Sequence, residues 1–174
     1  KNFQFDPGGY RIPAQVLAKL DDVYQWALYV SKQALQDSGY LEDLSVLANC
    51  GVILGNLSLP TKLSHDLVAP IYYKAVDAAI HELLQQRDFK LKNLSASEEL
   101  PGLNLLTASY TSAVIARALS LEKINFSLDA ACASSLYAVK LACNYLLSGK
   151  ADLMLAGAVN CTDPLLTHIT FSLV

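Results

Sequence analysis

Hydrophobic and polar positions along this chain follow two periods, and the change from one to the other marks its elements. From Ile124 to Leu128 apolar and polar residues alternate, which predicts a strand. From Ala133 to Leu147 the pattern predicts a helix, with Gly149 as its C-terminal stop. Nearer the start, Asp21 and Asp22 can cap a helix whose apolar residues Val23, Trp26, Ala27, Val30 and Ala34 recur at helical spacing until Ser38-Gly39. The run Gly51 to Leu54, closed by Gly55-Asn56, is short and continuously apolar, as suits a strand covered on both faces. Asn56 to Asp66 reads as a loop, after which Pro70 opens a helix with a broad face of Ile71, Ala75, Val76, Ala79, Ile80, Leu83 and Leu84. Arg87 to Gly102 is polar and turn-rich, a surface excursion.

A further helix from about Ala108 to Leu119 consists largely of Ala, Ser and Thr, so its backbone can lie close to a neighbour, by deep burial or a subunit contact. Ala151 to Val159 reads as a strand between Gly149 and Asp163-Pro164. Strands alternating with helices predict an α/β fold, a mixed and mostly parallel sheet packed with helices. No repeat or linker divides the chain. The helix after Ala133 carries only a thin polar stripe, Lys140, Asn144 and Ser148, and is expected in the interior.

Composition sharpens this picture. The 174 residues are 53% hydrophobic and 17% charged, enough for a substantial core. A mean hydropathy of +0.30 without a run of membrane-spanning length implies elements buried on both faces, or a large surface that a partner covers. The net charge of −3, with no basic cluster among aromatics, gives no case for nucleic acid. No transmembrane segment and no secretory signal are visible.

Among the 4 cysteines no C-x-x-C spacing occurs, which argues against a zinc site, a redox pair or a disulfide framework and suits a reducing compartment, the cytoplasm. Cys50, Cys143 and Cys161 read as packing residues. Cys132 differs, because it stands between a predicted strand and the start of a predicted helix. At that junction the helix dipole favours a thiolate, and backbone N–H groups, its own included, can face a developing oxyanion. Cys132 is therefore the candidate nucleophile, with Ser134 and Ser135 expected to serve the turn and its packing.

The segment Asp129-Ala130-Ala131-Cys132-Ala133-Ser134-Ser135 resembles the nucleophile motif of β-ketoacyl synthases, which have the thiolase fold. Leu119 to Phe171 as a whole, with Gly51-Val52-Ile53-Leu54-Gly55-Asn56-Leu57-Ser58-Leu59-Pro60-Thr61-Lys62, resembles ketosynthase domains of microbial polyunsaturated fatty-acid synthases and of heterocyst-glycolipid and polyketide synthases. The resemblance implies that residues 1–174 are the N-terminal portion of one such domain, incomplete without its C-terminal half. It implies decarboxylative condensation of a malonyl unit with an acyl chain held on Cys132. Substrates would ride on the phosphopantetheine of an acyl carrier protein, with no tightly bound cofactor and no metal. A homodimer through Ile124 to Leu128, or a heterodimer with a chain-length factor, is expected.

The family also uses two downstream histidine segments, and neither is in this sequence. His65, His81 and His168 lack the right neighbours and read as surface or structural. The 174 residues alone are therefore expected to be inactive in condensation. The residues leave open a non-decarboxylating thiolase or acyltransferase, a non-catalytic chain-length or dimerisation partner, a cysteine hydrolase and a plain interaction module. Tyr110, Tyr137 and Phe171 are candidates for an acyl pocket or for ordinary core packing.

Overall fold

The apolar run after Asn49 becomes the centre of a sheet. In the computed structural model, which describes residues 3–84 and 102–173, the elements are α1 (Ala14–Leu17), α2 (Asp22–Asp37), α3 (Leu44–Ala48), β1 (Cys50–Gly55), α4 (Lys62–Leu84), α5 (Thr111–Leu119), β2 (Asn125–Leu128), α6 (Ser134–Leu147), β3 (Leu153–Ala158) and α7 (Pro164–Ser172). The strands lie in the order β2-β1-β3, and both pairings are parallel. β1 is buried along its whole length. Its alternate residues go to opposite faces: Cys50, Val52 and Leu54 join α2 and α5 in one core cluster, whereas Ile53 meets Ala138 and Ala142 of α6 in a second.

Asp21 caps α2 by accepting the Val23 N–H at 3.0 Å, as its sequence implies. The buried face is Val23, Tyr24, Ala27, Leu28, Ser31 and Leu35, so Trp26, Val30 and Ala34 point outward instead of into the core. Helical spacing allowed either arc. Contact with α5 selects the one containing Tyr24 and Leu28, while Phe3 stacks on the outward Trp26.

The structure moves the start of α4 upstream. The helix begins at Lys62, inside the expected loop, and Pro70 lies within it. Thr61 fixes that start: its Oγ1 accepts the Ser64 N–H at 3.1 Å and its carbonyl the His65 N–H at 2.9 Å. Pro70 removes a single donor and does not restart the helix. Much of the predicted apolar face of α4, including Ile71, Val76 and Leu83, is exposed. Of the polar stretch from Arg87, residues 87–101 lie outside the described residues, and Gly102 opens a short 3-10 turn, Gly102–Leu105.

α5 starts at Thr111, three residues later than expected, and is deeply buried, consistent with its small side chains. The Ser112 N–H donates to Ser127 Oγ at 3.2 Å, tying α5 to β2.

α6 departs from expectation. It is not an interior rod: only Ser134, Ala138 and Ala142 are buried, while Leu136 and Leu147 are 73% and 86% exposed. The small residues, four apart, let the helix lie close on the sheet, so the larger apolar residues are left outward. Cys143, expected to pack, is exposed on this helix. No helix among the described residues is long and apolar enough to cross a membrane.

A buried polar network joins α2 to the start of α4. The Thr61 hydroxyl donates to Asp21 Oδ2 at 2.5 Å, and the Asp21 N–H donates to Asn104 Oδ1 at 2.8 Å. Burial pushes the Asp21 carboxyl above its ordinary value, against the hydrogen bonds from Thr61 and Val23 that pull it down. Because the folded state then holds the proton more tightly than the unfolded chain, stability falls as pH rises through the interval between the two values. Asp21→Asn keeps an N-cap acceptor, and Thr61 Oγ1 can turn its proton to Ser64 Oγ, 3.0 Å away. The expected unfolding free energy of Asp21→Asn at pH 7, read from urea midpoints, is equal to or above that of the parent by up to about 1 kcal/mol, with the gap closing toward pH 4. A midpoint well below the parent's at pH 7 would contradict the assigned burial cost.

Candidate active site

Because the sheet is parallel, Gly55, Leu128 and Ala158 stand in register and the chain leaves all three strands on the same side. Crevices beyond the carboxyl ends of parallel strands are where α/β folds bind ligands. Here a pocket of about 220 Å³ lies between Gly55–Leu57, the loop carrying Cys132, and Ala158–Asn160. Cys132 is exposed, within a single 3-10 turn, Ala131–Ala133, that runs directly into α6. The expected placement at a strand-to-helix junction is thus found.

Three features hold that loop. Ala131, the residue before the cysteine, has φ 49°, a left-handed conformation that costs a non-glycine residue about 1–2 kcal/mol. Ser134 ties the turn from inside: its Oγ accepts the Ala130 N–H at 2.9 Å and donates to the Ala131 carbonyl at 2.7 Å. The expectation that Ser134 serves the turn is met. Asp129 ties it from outside, Oδ1 accepting the Ala131 N–H at 2.9 Å and Oδ2 the Ser58 N–H at 2.8 Å. These bonds, that from Ala131 foremost, hold the Asp129 carboxyl below its ordinary value.

The opposite wall is fixed by glycine and asparagine. A Cβ on Gly55 would lie 2.6 Å from Ser134 Cβ and 2.8 Å from its carbonyl carbon, so α6 can start where it does only over a glycine. Buried Asn56 donates from Nδ2 to the Thr107 carbonyl at 2.6 Å, and its N–H donates to the Leu128 carbonyl at 2.9 Å. By periodicity Gly55-Asn56 reads only as the end of a strand and the start of a loop. A glycine and a buried amide closing an otherwise apolar central strand were the signal that the chain there meets another backbone.

The family described as ketoacyl-synt, Beta-ketoacyl synthase, N-terminal domain, matches residues 1–172. The chain is a member of the β-ketoacyl synthase family. One polyunsaturated fatty acid synthase subunit of Thraustochytrium sp. is 33% identical over 138 residues, covering 76% of this chain and 5% of that protein. A second polyunsaturated fatty acid synthase subunit of the same organism is 26% identical over 154 residues, 88% of this chain and 7% of that protein. Among solved structures, PfaC Keto synthase-Chain length factor matches with a TM-score of 0.87 and 51% identity, over 98% of this chain and 18% of that chain. The fold is thus thiolase-like, and the chain spans only a small part of the length of these relatives.

Within this ketosynthase chain the other candidates take lesser places. Burial pushes the Cys50 thiol up to about 11; burial, then the charges of Asp21 and Asp22, do the same for Cys161, so both are held as thiols. His65 lies in the first turn of α4, its Nδ1 3.8 Å from Asp163 Oδ2, and lines a larger cavity of about 500 Å³ with Ser58–Pro60 and the apolar side of α4. His168 is exposed on α7, and the side chain of His81 in α4 lies outside the described residues. Neither His65 nor His168 lines the Cys132 pocket. Nor do Tyr110, Tyr137 and Phe171: Tyr110 borders a separate cavity, and Tyr137 and Phe171 point outward. β2, whose Ile124–Leu128 region was expected to form an interface, is an edge strand among the described residues, with Asn125 exposed and the rest half-buried.

Proposed function

We propose that Cys132 is the nucleophile of a β-ketoacyl-acyl-carrier-protein synthase and that residues 1–174 supply the acyl-accepting half of its active site. The observation that carries this reading is the exposed Cys132 at the head of α6, opening on a pocket at the carboxyl ends of parallel strands. In the first step the Cys132 sulfur attacks the carbonyl carbon of an acyl thioester on phosphopantetheine. The new C–S bond forms first, giving a tetrahedral oxyanion; its collapse breaks the old C–S bond, and the departing thiolate takes up the proton that the Cys132 thiol gave up. The Cys132 N–H would be one donor to the oxyanion. In the second step a carbanion from decarboxylating malonyl-acyl carrier protein attacks the Cys132 thioester, giving a β-ketoacyl product and freeing the sulfur.

Stabilising the malonyl carboxylate and the enolate needs groups this sequence does not carry, so the 174-residue polypeptide alone is proposed to stop after acyl transfer. The open edge of β2 supports pairing through Ile124 to Leu128 with a second copy or with a chain-length factor. An acyl carrier protein is the proposed donor partner, and no tightly bound cofactor is needed.

The test is incubation with an acyl thioester followed by intact-mass and peptide mass spectrometry. One acyl group is expected on Cys132 and none at that site in Cys132→Ala. Equal labelling of the two proteins, or release of a condensed product by the 174 residues with malonyl thioester, would overturn the corresponding part of the reading.

A further inference from the structure

Asp129 is exposed, so burial does not explain why its carboxylate is engaged at both ends. Each oxygen accepts from a different backbone segment: the Ala131 N–H on one side and the Ser58 N–H on the other. These recipients are not interchangeable turn contacts. Ala131 is the left-handed residue immediately before Cys132. Ser58 follows Leu57, which lines the Cys132 pocket from the opposite loop. One side chain therefore fixes both the conformation that aims the thiol and the separation between the thiol and the facing wall. Ser134 supports the same turn from within but makes no bond to the facing loop in the hydrogen-bond network around Ala130 and Ala131.

We infer that Asp129 is a positioning residue for thioester formation at Cys132, holding the thiol through Ala131 and the opposing pocket wall through Ser58. The inference rests on Cys132 being the nucleophile. Ionised, the carboxylate accepts from both N–H groups at once, a strong pairing that no neutral side chain of the same size reproduces. Alanine leaves both N–H groups to water and lets Ala131 relax. Asparagine offers its oxygen to one N–H and turns its NH₂ toward the other.

The experiment uses the 174-residue chain and the N-acetylcysteamine thioester of octanoic acid, following acylation of Cys132 by intact mass over a range of thioester concentrations. Cys132→Ala is run first, beside the unsubstituted chain. In Asp129→Ala the maximal acylation rate is expected to fall roughly tenfold to a hundredfold, because small misplacements of a nucleophile carry losses of that order. The half-saturating thioester concentration is expected to change much less than the rate, because the Ala131 bond that aims the thiol is felt in the attack step and the Ser58 bond moves only one wall of the pocket. Asp129→Asn should recover part of the rate, and the urea midpoints of both variants should fall only slightly, because the bonds lost are solvent-exposed. An unchanged acylation rate in Asp129→Ala overturns the inference. So does a loss that tracks a lowered urea midpoint with no recovery in Asp129→Asn, which would make Asp129 a stabilising residue only. Absence of Cys132-dependent labelling in the unsubstituted chain is seen before any Asp129 variant is compared; it overturns the nucleophile reading, and the inference with it.

Discussion

Gly55→Ala is expected to lower stability by about 1–3 kcal/mol and to slow acylation of Cys132 roughly a hundredfold. The added methyl would sit 2.6 Å from Ser134 Cβ, 2.8 Å from its carbonyl carbon and 3.0 Å from its carbonyl oxygen, so backbone as well as side chain must give way. β1 is poorly placed to yield, being paired on both sides, with the Val159 N–H donating to the Gly55 carbonyl at 2.9 Å. The start of α6 must move instead. Ser134 moves with it, and the bonds from Ser134 to Ala130 and Ala131 that fix the cysteine turn are lost. Gly157→Ala in β3 provides the control, because a Cβ there meets nothing within 4 Å. Urea unfolding and the acylation assay on both variants check the point; equal behaviour of the two would refute the close-packing account.

Asn56→Asp, which changes only the amide to a carboxyl, is expected to destabilise the fold by about 2–4 kcal/mol at pH 8. Asn56 is buried at 4% exposure, and its Nδ2 donates to the Thr107 carbonyl at 2.6 Å. A carboxylate would present an acceptor to an acceptor, buried and without a cation among the partners Asn56 now has. A protonated carboxyl could still donate to Thr107. The folded state would thus hold the proton more tightly than the unfolded chain, whose carboxyl titrates near its ordinary value of about 3.9. Little of the penalty is therefore present below that value, and it grows as pH rises through the folded-state value. Urea midpoints at pH 8 and pH 5 should show the variant closer to its parent at the lower pH. A deficit equal at both would mean that packing, not charge, is what Asn56 supplies.

The elements of the fold were legible where one period dominated. The alternating run at Ile124 gave β2, the continuous run at Gly51 gave β1, and Asp21 announced the start of α2. Two errors have the same origin, since periodicity reports that a helix has an apolar arc without reporting what lies against it. In α2 a different arc met the core than Trp26, Val30 and Ala34 suggested. In α6 the contact is made by the smallest residues, Ser134, Ala138 and Ala142. Pro70 misled because the hydrogen bonds of Thr61 had already started the helix. At the site, the position of Cys132 between strand and helix was readable. The roles of Gly55, Asn56 and Asp129 were not, because each depends on a contact with a residue far along the chain.

That remoteness has a consequence in time. Ser58 and Asp129, joined at the mouth of the pocket, are 71 positions apart, and the Asn56–Thr107 link spans 51. Closing such long intervals is slow compared with winding a helix, and it gains nothing until the distant partners have met. A half-assembled polypeptide would already bear its sulfur but not the surroundings that hold it, so the proposed acyl acceptance should begin only at the last stage of folding.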